Sequence, residues 1–91
     1  MKVGIIGVGY VGLVTGACFS HVGNDVHCMD VDSEKINKLK KGEVPIYEDK
    51  LDEIIDESMS LKRLHFTTDI EDVIKNSEII FLAVSTPMND D

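Results

Sequence analysis

Short apolar runs alternate with amphipathic stretches along this chain. The apolar runs predict four strands, at residues 2–6, 26–29, 64–67 and 78–84. Their unbroken apolar character is typical of parallel strands that are covered on both faces, most clearly in the last run. Strands that alternate with helices in this way indicate an α/β fold built on a parallel sheet.

The stretches between the runs carry apolar residues at helical spacing, with polar residues on the remaining positions. The predicted helices extend from about Tyr10 to the Gly23-Asn24 turn and then over about residues 33–41, 47–60 and 69–76. In the fourth helix, this spacing predicts that Ile70, Val73 and Ile74 face the core. The helices and strands together make one small domain.

Right-handed crossovers between parallel strands predict the strand order 3-2-1-4. The expected fold is therefore an incomplete Rossmann-type sheet of about four strands with helices on both faces. In this order the fourth strand lies beside the first, at the switch point where such sheets bind ligands. The loop Ser85-Thr86-Pro87 follows the fourth strand, so we expect Thr86 to contact a cofactor there.

A glycine motif connects the first strand to the first helix. Gly7-Val8-Gly9-Tyr10-Val11-Gly12 is a complete G-x-G-x-x-G sequence, the fingerprint of dinucleotide-binding turns. Gly7 permits a sharp turn, Gly9 leaves space for a pyrophosphate, and Gly12 lets the helix pack closely on the strand. The helix begins at about Tyr10, so the backbone N–H groups of Tyr10 and Val11 are expected to face the phosphates.

An acidic residue ends the second strand. Asp30 follows Gly12 by eighteen residues, close to the spacing of about 20 expected for the ribose-binding acid of this motif. Its carboxylate can accept hydrogen bonds from both ribose hydroxyls and would repel a 2′-phosphate, which favours NAD over NADP. Lys35 lies a few residues further on, where its ammonium group can reach the ribose or a phosphate.

Composition narrows the possible partners. The chain has 91 residues and a formal net charge of −8, which argues against nucleic acid or an anionic membrane as a partner. The apolar N-terminus resembles an export signal, but five glycines interrupt it, and the dinucleotide motif explains them. Two cysteines fit reduced thiols in a cytoplasmic protein.

The cysteines and histidines near the N-terminus do not predict a metal site. Cys18 and His21 are three residues apart on the first helix, and the pair His27-Cys28 follows on the second strand. Adjacent strand residues point to opposite faces of a sheet, so His27 and Cys28 cannot both face that helix. Packing therefore explains these residues better than a bound metal ion.

Several separated motifs resemble the UDP-glucose/GDP-mannose dehydrogenase family. They are residues 7–13, residues 30–35, Gly42 with Pro45-Ile46-Tyr47-Glu48, and Val84-Ser85-Thr86-Pro87. The resemblance covers the whole chain in order, and Tyr47 leans toward members that act on UDP-glucose. It implies an NAD-dependent enzyme that oxidises the C6 alcohol of a nucleotide sugar to a carboxylate in two hydride transfers, giving UDP-glucuronate from UDP-glucose.

The resemblance also implies where this chain should act. Cofactor contacts are expected at Val11 and its neighbours in the glycine turn, at Asp30, at Lys35 and at Thr86. The catalytic cysteine and the sugar-nucleotide pocket of the family lie beyond residue 91, so we expect an inactive NAD-binding segment with no catalytic residue of its own. Asp49-Lys50 replace the family's usual Pro-Gly, which we interpret as a different helix start.

Three alternatives remain open at this stage. The chain is also compatible with a dehydrogenase for GDP-mannose or UDP-N-acetylmannosamine, with a non-enzymatic NAD sensor, and with a remnant that binds nothing. The motifs at residues 45–48 and 84–87 favour a dehydrogenase over a sensor. The apolar fourth strand would be an open sheet edge in this chain, which predicts a homo-oligomer.

Overall fold

The computed structural model describes residues 1–44 and 50–83. Eight elements follow one another within these ranges. They are β1 (Lys2–Ile6), α1 (Tyr10–His21), β2 (Asp25–Met29), α2 (Ser33–Lys40), α3 (Leu51–Ser60), β3 (Leu64–Thr67), α4 (Ile70–Asn76) and β4 (Ile79–Leu82). The predicted alternation of strands and helices is confirmed.

The four strands form one sheet in the order β3-β2-β1-β4, and all three strand pairs are parallel. This confirms the predicted order. In the register, Ile5 of β1 lies opposite Cys28 of β2 on one side and Phe81 of β4 on the other. The carboxyl ends of β1 and β2 are therefore level, and the glycine turn and Asp30 leave the sheet side by side.

The helices cover both faces of the sheet. On one face, α1 packs so closely that a Cβ at Gly16 would lie 2.9 Å from the Cys28 sulfur. The buried core on this face joins α1 to residues of α2 and α3, among them Ile36, Leu39 and Ile55. On the opposite face, α4 lies against β1, where a Cβ at Gly4 would lie 2.7 Å from the Val73 side chain.

Two predictions about α4 were wrong. Val73 is fully buried, but Ile70 and Ile74 are 43% and 55% exposed. α4 approaches Gly4 at Val73 and at its C-cap residue Ser77, and Ile70 and Ile74 lie outside this contact. Ile70 borders a surface cleft instead of the core.

The prediction that the last strand is buried on both faces was also wrong. All four residues of β4 are exposed, from 38% at Ile80 and Phe81 to 74% at Leu82. Phe81 stacks on Phe19 of α1 with ring centroids 5.5 Å apart, but α4 packs chiefly over β1, β2 and β3. Among the described residues, no strand pairs with the outer edge of β4.

The predicted start of the third helix lies partly outside the described residues, because residues 45–49 are not among them. Within the described residues, α3 begins at Leu51. In the same ranges, no helix combines the length and the apolar character that crossing a membrane requires.

Candidate functional site

The glycine turn has the backbone conformation that its sequence predicts. Gly7 adopts a positive φ of 104°, which residues with a side chain rarely tolerate. Its N–H donates to the Met29 carbonyl at 2.8 Å, so the turn begins while still bonded to β2. A Cβ at Gly12 would lie 1.9 Å from the Gly7 carbonyl oxygen, so the start of α1 can pack this closely only with glycine there.

The start of α1 is open for a ligand. The helix begins at Tyr10 with Gly9 as its N-cap, and the Leu13 N–H closes the first turn onto the Gly9 carbonyl at 3.0 Å. Within the described residues, no side chain caps this helix and its first turn carries no acid. Val11 is 64% exposed. The positive end of the helix dipole is therefore exposed, which suits a phosphate group.

Asp30 connects the second strand to the glycine turn. One carboxylate oxygen accepts a hydrogen bond from the Val8 N–H at 3.0 Å, and the other accepts one from the Asp32 N–H at 3.0 Å. These two bonds fix the carboxylate above the carboxyl end of the sheet, beside the turn. Oδ1 keeps a second acceptor position for a ribose hydroxyl, while Oδ2 also faces the Lys35 ammonium at 3.5 Å.

Asp30 stays ionised because of its neighbours. Burial by itself raises the pKa of a carboxyl, but the hydrogen bonds from Val8 and Asp32 and the charge of Lys35 outweigh it, so the pKa of Asp30 lies below its usual value. The Lys35 ammonium lies 3.5 Å from the same carboxylate oxygen that Val8 binds. This ion pair holds Lys35 beside Asp30, and its predicted contact with a ribose or a phosphate stays a prediction.

A cleft of about 180 Å³ lies next to Asp30. Its lining is mostly apolar and consists of Ile6, Gly7, Met29, Asp30, Val31 and Ile70. A flat aromatic group such as a nucleobase is compatible with walls of this kind. Sequence reasoning missed Val31 and Ile70, although an exposed apolar residue directly after the acid was a usable signal.

The structure thus brings together most of the predicted site residues. Gly7, Gly9, Tyr10, Val11 and Gly12 form the turn and the helix start, and Asp30 and Lys35 lie beside them. The φ of Gly9 is −78°, which any residue adopts, so its predicted role of leaving space for a pyrophosphate stays a prediction. Thr86 lies outside the described residues.

The site fits a dinucleotide on three observations. The helix start is uncapped where a diphosphate would lie, the cradle between Gly7 and Gly12 would be closed by any Cβ at residue 12, and an ionised acceptor stands at the end of the neighbouring strand. The site therefore offers N–H donors for a diphosphate and a carboxylate acceptor for a ribose diol. A dinucleotide carries both of these groups in one molecule.

The family models and the most similar known proteins assign this chain to the same family. The family model for the UDP-glucose/GDP-mannose dehydrogenase family, NAD binding domain, matches residues 1–91. UDP-glucose 6-dehydrogenase TuaD of Bacillus subtilis is 49% identical over 88 residues, which cover 97% of this chain and 19% of that protein. UDP-glucose 6-dehydrogenase of Rhizobium meliloti is 47% identical over 87 residues, 96% of this chain and 20% of that protein.

Solved structures agree with this result. A ternary complex of GDP-mannose dehydrogenase from Pseudomonas aeruginosa superposes with a TM-score of 0.94 at 36% identity, covering 99% of this chain and 21% of that one. UDP-glucose dehydrogenase from Pyrobaculum islandicum gives 0.92 at 32% identity, with 99% and 21% covered. UDP-N-acetyl-mannosamine dehydrogenase from Staphylococcus aureus gives 0.89 at 36% identity, with 100% and 21% covered. The chain spans about a fifth of the length of these relatives.

Proposed function

This chain belongs to the UDP-glucose/GDP-mannose dehydrogenase family, and we propose that it serves as the cofactor-binding segment of an enzyme that oxidises UDP-glucose to UDP-glucuronate. The cofactor of this domain family is NAD. Residues 1–91 then form the N-terminal part of a dinucleotide-binding domain, and the sugar nucleotide is bound and oxidised with parts of the enzyme outside this segment.

The observation that carries the proposal is the position of Asp30. Its carboxylate is held beside the glycine turn by the Val8 N–H at 3.0 Å, so one short segment presents a phosphate site and a ribose site together. We assign the diphosphate to Gly7, Gly9, Tyr10, Val11 and Gly12, and the adenosine ribose to Asp30 with Lys35. Thr86 is proposed to contact the same cofactor from the other side of the switch point.

Each residue acts by positioning. The amides at the start of α1 bind the diphosphate without introducing a counter-charge, and Gly12 keeps them close to the turn. Asp30 orients the ribose and disfavours a 2′-phosphate, and Lys35 offsets the charge of the carboxylate. When bound, NAD accepts the hydride that leaves the alcohol carbon of the substrate.

We propose that this segment contributes no nucleophile. Cys28 is fully buried, and burial raises the pKa of its thiol to about 12, so the reactive thiolate is not available. Cys18 is exposed on α1, two turns from the helix start where the phosphates are proposed to bind. The resemblance places the catalytic cysteine of the family after residue 91.

The choice of UDP-glucose is supported by sequence identity. The UDP-glucose 6-dehydrogenases of Bacillus subtilis and Rhizobium meliloti share 49% and 47% of residues with this chain, whereas the structures that act on GDP-mannose and UDP-N-acetylmannosamine share 36%. The UDP-glucose dehydrogenase from Pyrobaculum islandicum shares 32%, so among these relatives the support comes from the first two. A substrate of the GDP-mannose or UDP-N-acetylmannosamine kind is the alternative proposal. Both give the same function to residues 1–91, because the sugar pocket is proposed to lie outside them.

We further propose that the protein is a homo-oligomer and acts in the cytoplasm. The exposed apolar edge of β4 supports the first proposal, because such edges pair readily with another strand. The two free cysteines support the second, since neither forms a disulfide within the described residues.

Asp30→Asn tests the proposed site directly. Binding of NAD to the 91-residue chain is measured by isothermal titration calorimetry for the wild type and the variant. We expect the variant to bind NAD about 10- to 100-fold more weakly, because hydrogen bonds to a charged acceptor contribute about 1.5–3 kcal/mol each. The matched control is Asp56→Asn, an exposed acid on α3, which should leave affinity unchanged.

Two results would contradict the proposal. One is the absence of NAD binding by the wild-type chain at millimolar cofactor, which would favour a remnant without a ligand. The other is equal affinity of the wild type and Asp30→Asn, with circular dichroism showing that both are folded. In that case the cofactor binds elsewhere or without the ribose contact.

A further inference from the structure

A second polar cluster lies on the sheet among residues that are not proposed to bind the cofactor. Asp25 and His27 are two residues apart on β2 and therefore share one face, and the parallel register pairs His27 with His65 of β3. Asp25 begins β2, His27 is its middle residue and His65 is the second residue of β3, whereas the glycine turn and Asp30 follow the carboxyl ends of their strands. Neither the family assignment nor the proposed function gives them a role.

The ligand atoms of the cluster converge. One carboxylate oxygen of Asp25 is hydrogen-bonded to Nε2 of His65 at 2.8 Å, a bond that a metal ion would replace, and the other is 3.5 Å from Nε2 of His27. Among the described residues, Asp25, His27 and His65 each offer one possible metal-binding atom, and these three atoms all lie within 4.8 Å of one another. Ligand atoms of a tetrahedral zinc site are separated by about 3.3 Å, given bond lengths near 2.0–2.1 Å. The distances of 2.8 and 3.5 Å lie on either side of that separation.

The covering helix adds a fourth group behind His27. Oδ2 of Asp72 on α4 is 3.9 Å from Nδ1 of His27, and this nitrogen is buried without a hydrogen-bond partner in the described part of the chain. The amide of Asn76 donates to the other oxygen of Asp72 at 3.0 Å and so leaves Oδ2 directed at the histidine. A carboxylate behind a histidine is the usual outer partner of a metal ligand.

We propose that Asp25, His27 and His65 form a binding site for a divalent transition-metal ion such as Zn²⁺, with Asp72 as the outer partner of His27. The two imidazoles are borderline ligands that suit Zn²⁺, and they make this site unlike the all-oxygen sites that bind Mg²⁺ or Ca²⁺. Both Nε2 atoms and Asp25 contact the ion, and a water completes four-coordination. Nδ1 of His27 then carries the proton, and Asp72 accepts a hydrogen bond from it when the 3.9 Å separation shortens.

Binding of a metal ion would require the two imidazole rings to change their orientation. The two imidazoles are stacked, with ring centroids 4.3 Å apart and planes inclined by 18°. A metal ion lies close to the plane of each histidine that binds it, so the rings must rotate away from parallel around the ion. His65 and Asp25 are each more than a third exposed, which leaves space for that rotation.

Such an ion would act as a structural link and not as a catalyst. It would connect β2 to β3 directly and to α4 through Asp72. The cation would also offset part of the negative charge of the chain, whose formal net charge is −8. Its removal is therefore expected to lower thermal stability without abolishing NAD binding.

Zinc titration of the purified 91-residue chain tests the proposal. Isothermal titration calorimetry in a buffer that does not bind metals measures affinity and stoichiometry, and Co²⁺ substitution gives a visible spectrum that reports the geometry. We expect one ion per chain. His65→Gln and Asp25→Asn should abolish this binding, whereas Asp72→Asn should weaken it about 10- to 100-fold and retain the stoichiometry.

His21→Gln is the matched control, because His21 is an exposed histidine at the end of α1. It should bind zinc like the wild type and show the same rise in melting temperature. The proposal is overturned if no zinc binds, or if His65→Gln binds as well as the wild type. It is equally overturned if His21→Gln or Cys18→Ser removes the ion, since the site would then lie on α1. NAD affinity measured on the same variants separates this result from the proposed function.

Discussion

Asp30 joins two parts of the site that are distant in sequence. Its carboxylate receives the Val8 N–H from the glycine turn and the Asp32 N–H from the start of α2, and Lys35 balances its charge. The same side chain therefore supports the fold and is proposed to bind the ribose. This double role leads to a pH dependence that can be measured without cofactor.

The pKa of Asp30 is lower in the folded chain than its ordinary value of about 4. A carboxyl with a lowered folded pKa stabilises the fold above its unfolded pKa, and this contribution disappears as the pH falls through the folded value. We therefore expect wild type and Asp30→Asn to differ most in free energy of unfolding near pH 6 and to converge toward pH 3 or below. Urea unfolding across this range measures the difference. A constant difference would show that ionisation of Asp30 does not stabilise the fold.

Gly12 is the second residue whose role can be isolated. Its Cβ would lie 1.9 Å from backbone at Gly7, so Gly12→Ala must displace the helix from the turn. We expect a loss of about 3 kcal/mol in free energy of unfolding, together with weaker NAD binding.

Gly42→Ala is the control for Gly12→Ala. Gly42 has a φ of 86° but no neighbouring atom within 4 Å of an added Cβ, so backbone strain of about 1–2 kcal/mol is the whole expected effect. NAD affinity should not change. Equal losses in the two variants would mean that the contact between Gly12 and Gly7 is not limiting.

At the scale of elements, α1 and β4 have opposite environments. α1 buries one face against β1 and β2 and leaves its start open, which is what the proposed phosphate site requires. β4 pairs with β1 along its whole length but exposes all four of its residues. Among the described residues no strand pairs with its outer edge, and an apolar strand with such an edge favours self-association.

We expect the chain to self-associate through β4, and multi-angle light scattering after size exclusion measures this. Ile80→Lys should shift the protein to monomer, because a lysine on an edge strand opposes pairing with a second copy. Val22→Lys, which replaces an exposed apolar residue just after α1, should leave the oligomer unchanged. A wild-type chain that stays monomeric at high concentration would contradict the prediction.

At the scale of the whole molecule, the proposed NAD site and the proposed metal site lie on different parts of the same sheet. The proposed NAD site lies where the strands end, and the proposed metal site lies on β2 and β3. A cofactor that binds the folded chain raises its stability by mass action. The increase in the free energy of unfolding therefore measures how strongly the folded chain binds the cofactor.

We expect NAD at about 100 times its Kd to stabilise the chain by about 2.7 kcal/mol, or roughly 10–20 °C in melting temperature for a domain of this size. NADP at the same concentration should stabilise much less, because its 2′-phosphate would lie beside the ionised Asp30. Thermal unfolding monitored by circular dichroism measures both. Equal stabilisation by the two cofactors would contradict the proposed position of the ribose.

Much of the site was predictable because its parts are local. The turn depends on glycines within six residues, and Asp30 follows from a strand that ends in an acid. The exposure of Ile70 and Ile74 was not predictable in this way. Helical spacing tells which residues share a face, but only the distance between α4 and Gly4 decides how much of that face is buried.

The sequence by itself determined the order of strands and helices, the crossovers and the glycine turn, since these depend on periodicity, chirality and backbone freedom over short distances. The tertiary structure alone decided which side chains meet across strands. The Val8 bond to Asp30 and the approach of Asp25 and His27 to His65 depend on parallel register, and a shift of one residue would turn those side chains to the other face. Contacts of this kind are properties of the assembled sheet, because residues 25 and 65 are neighbours only after β2 and β3 have paired.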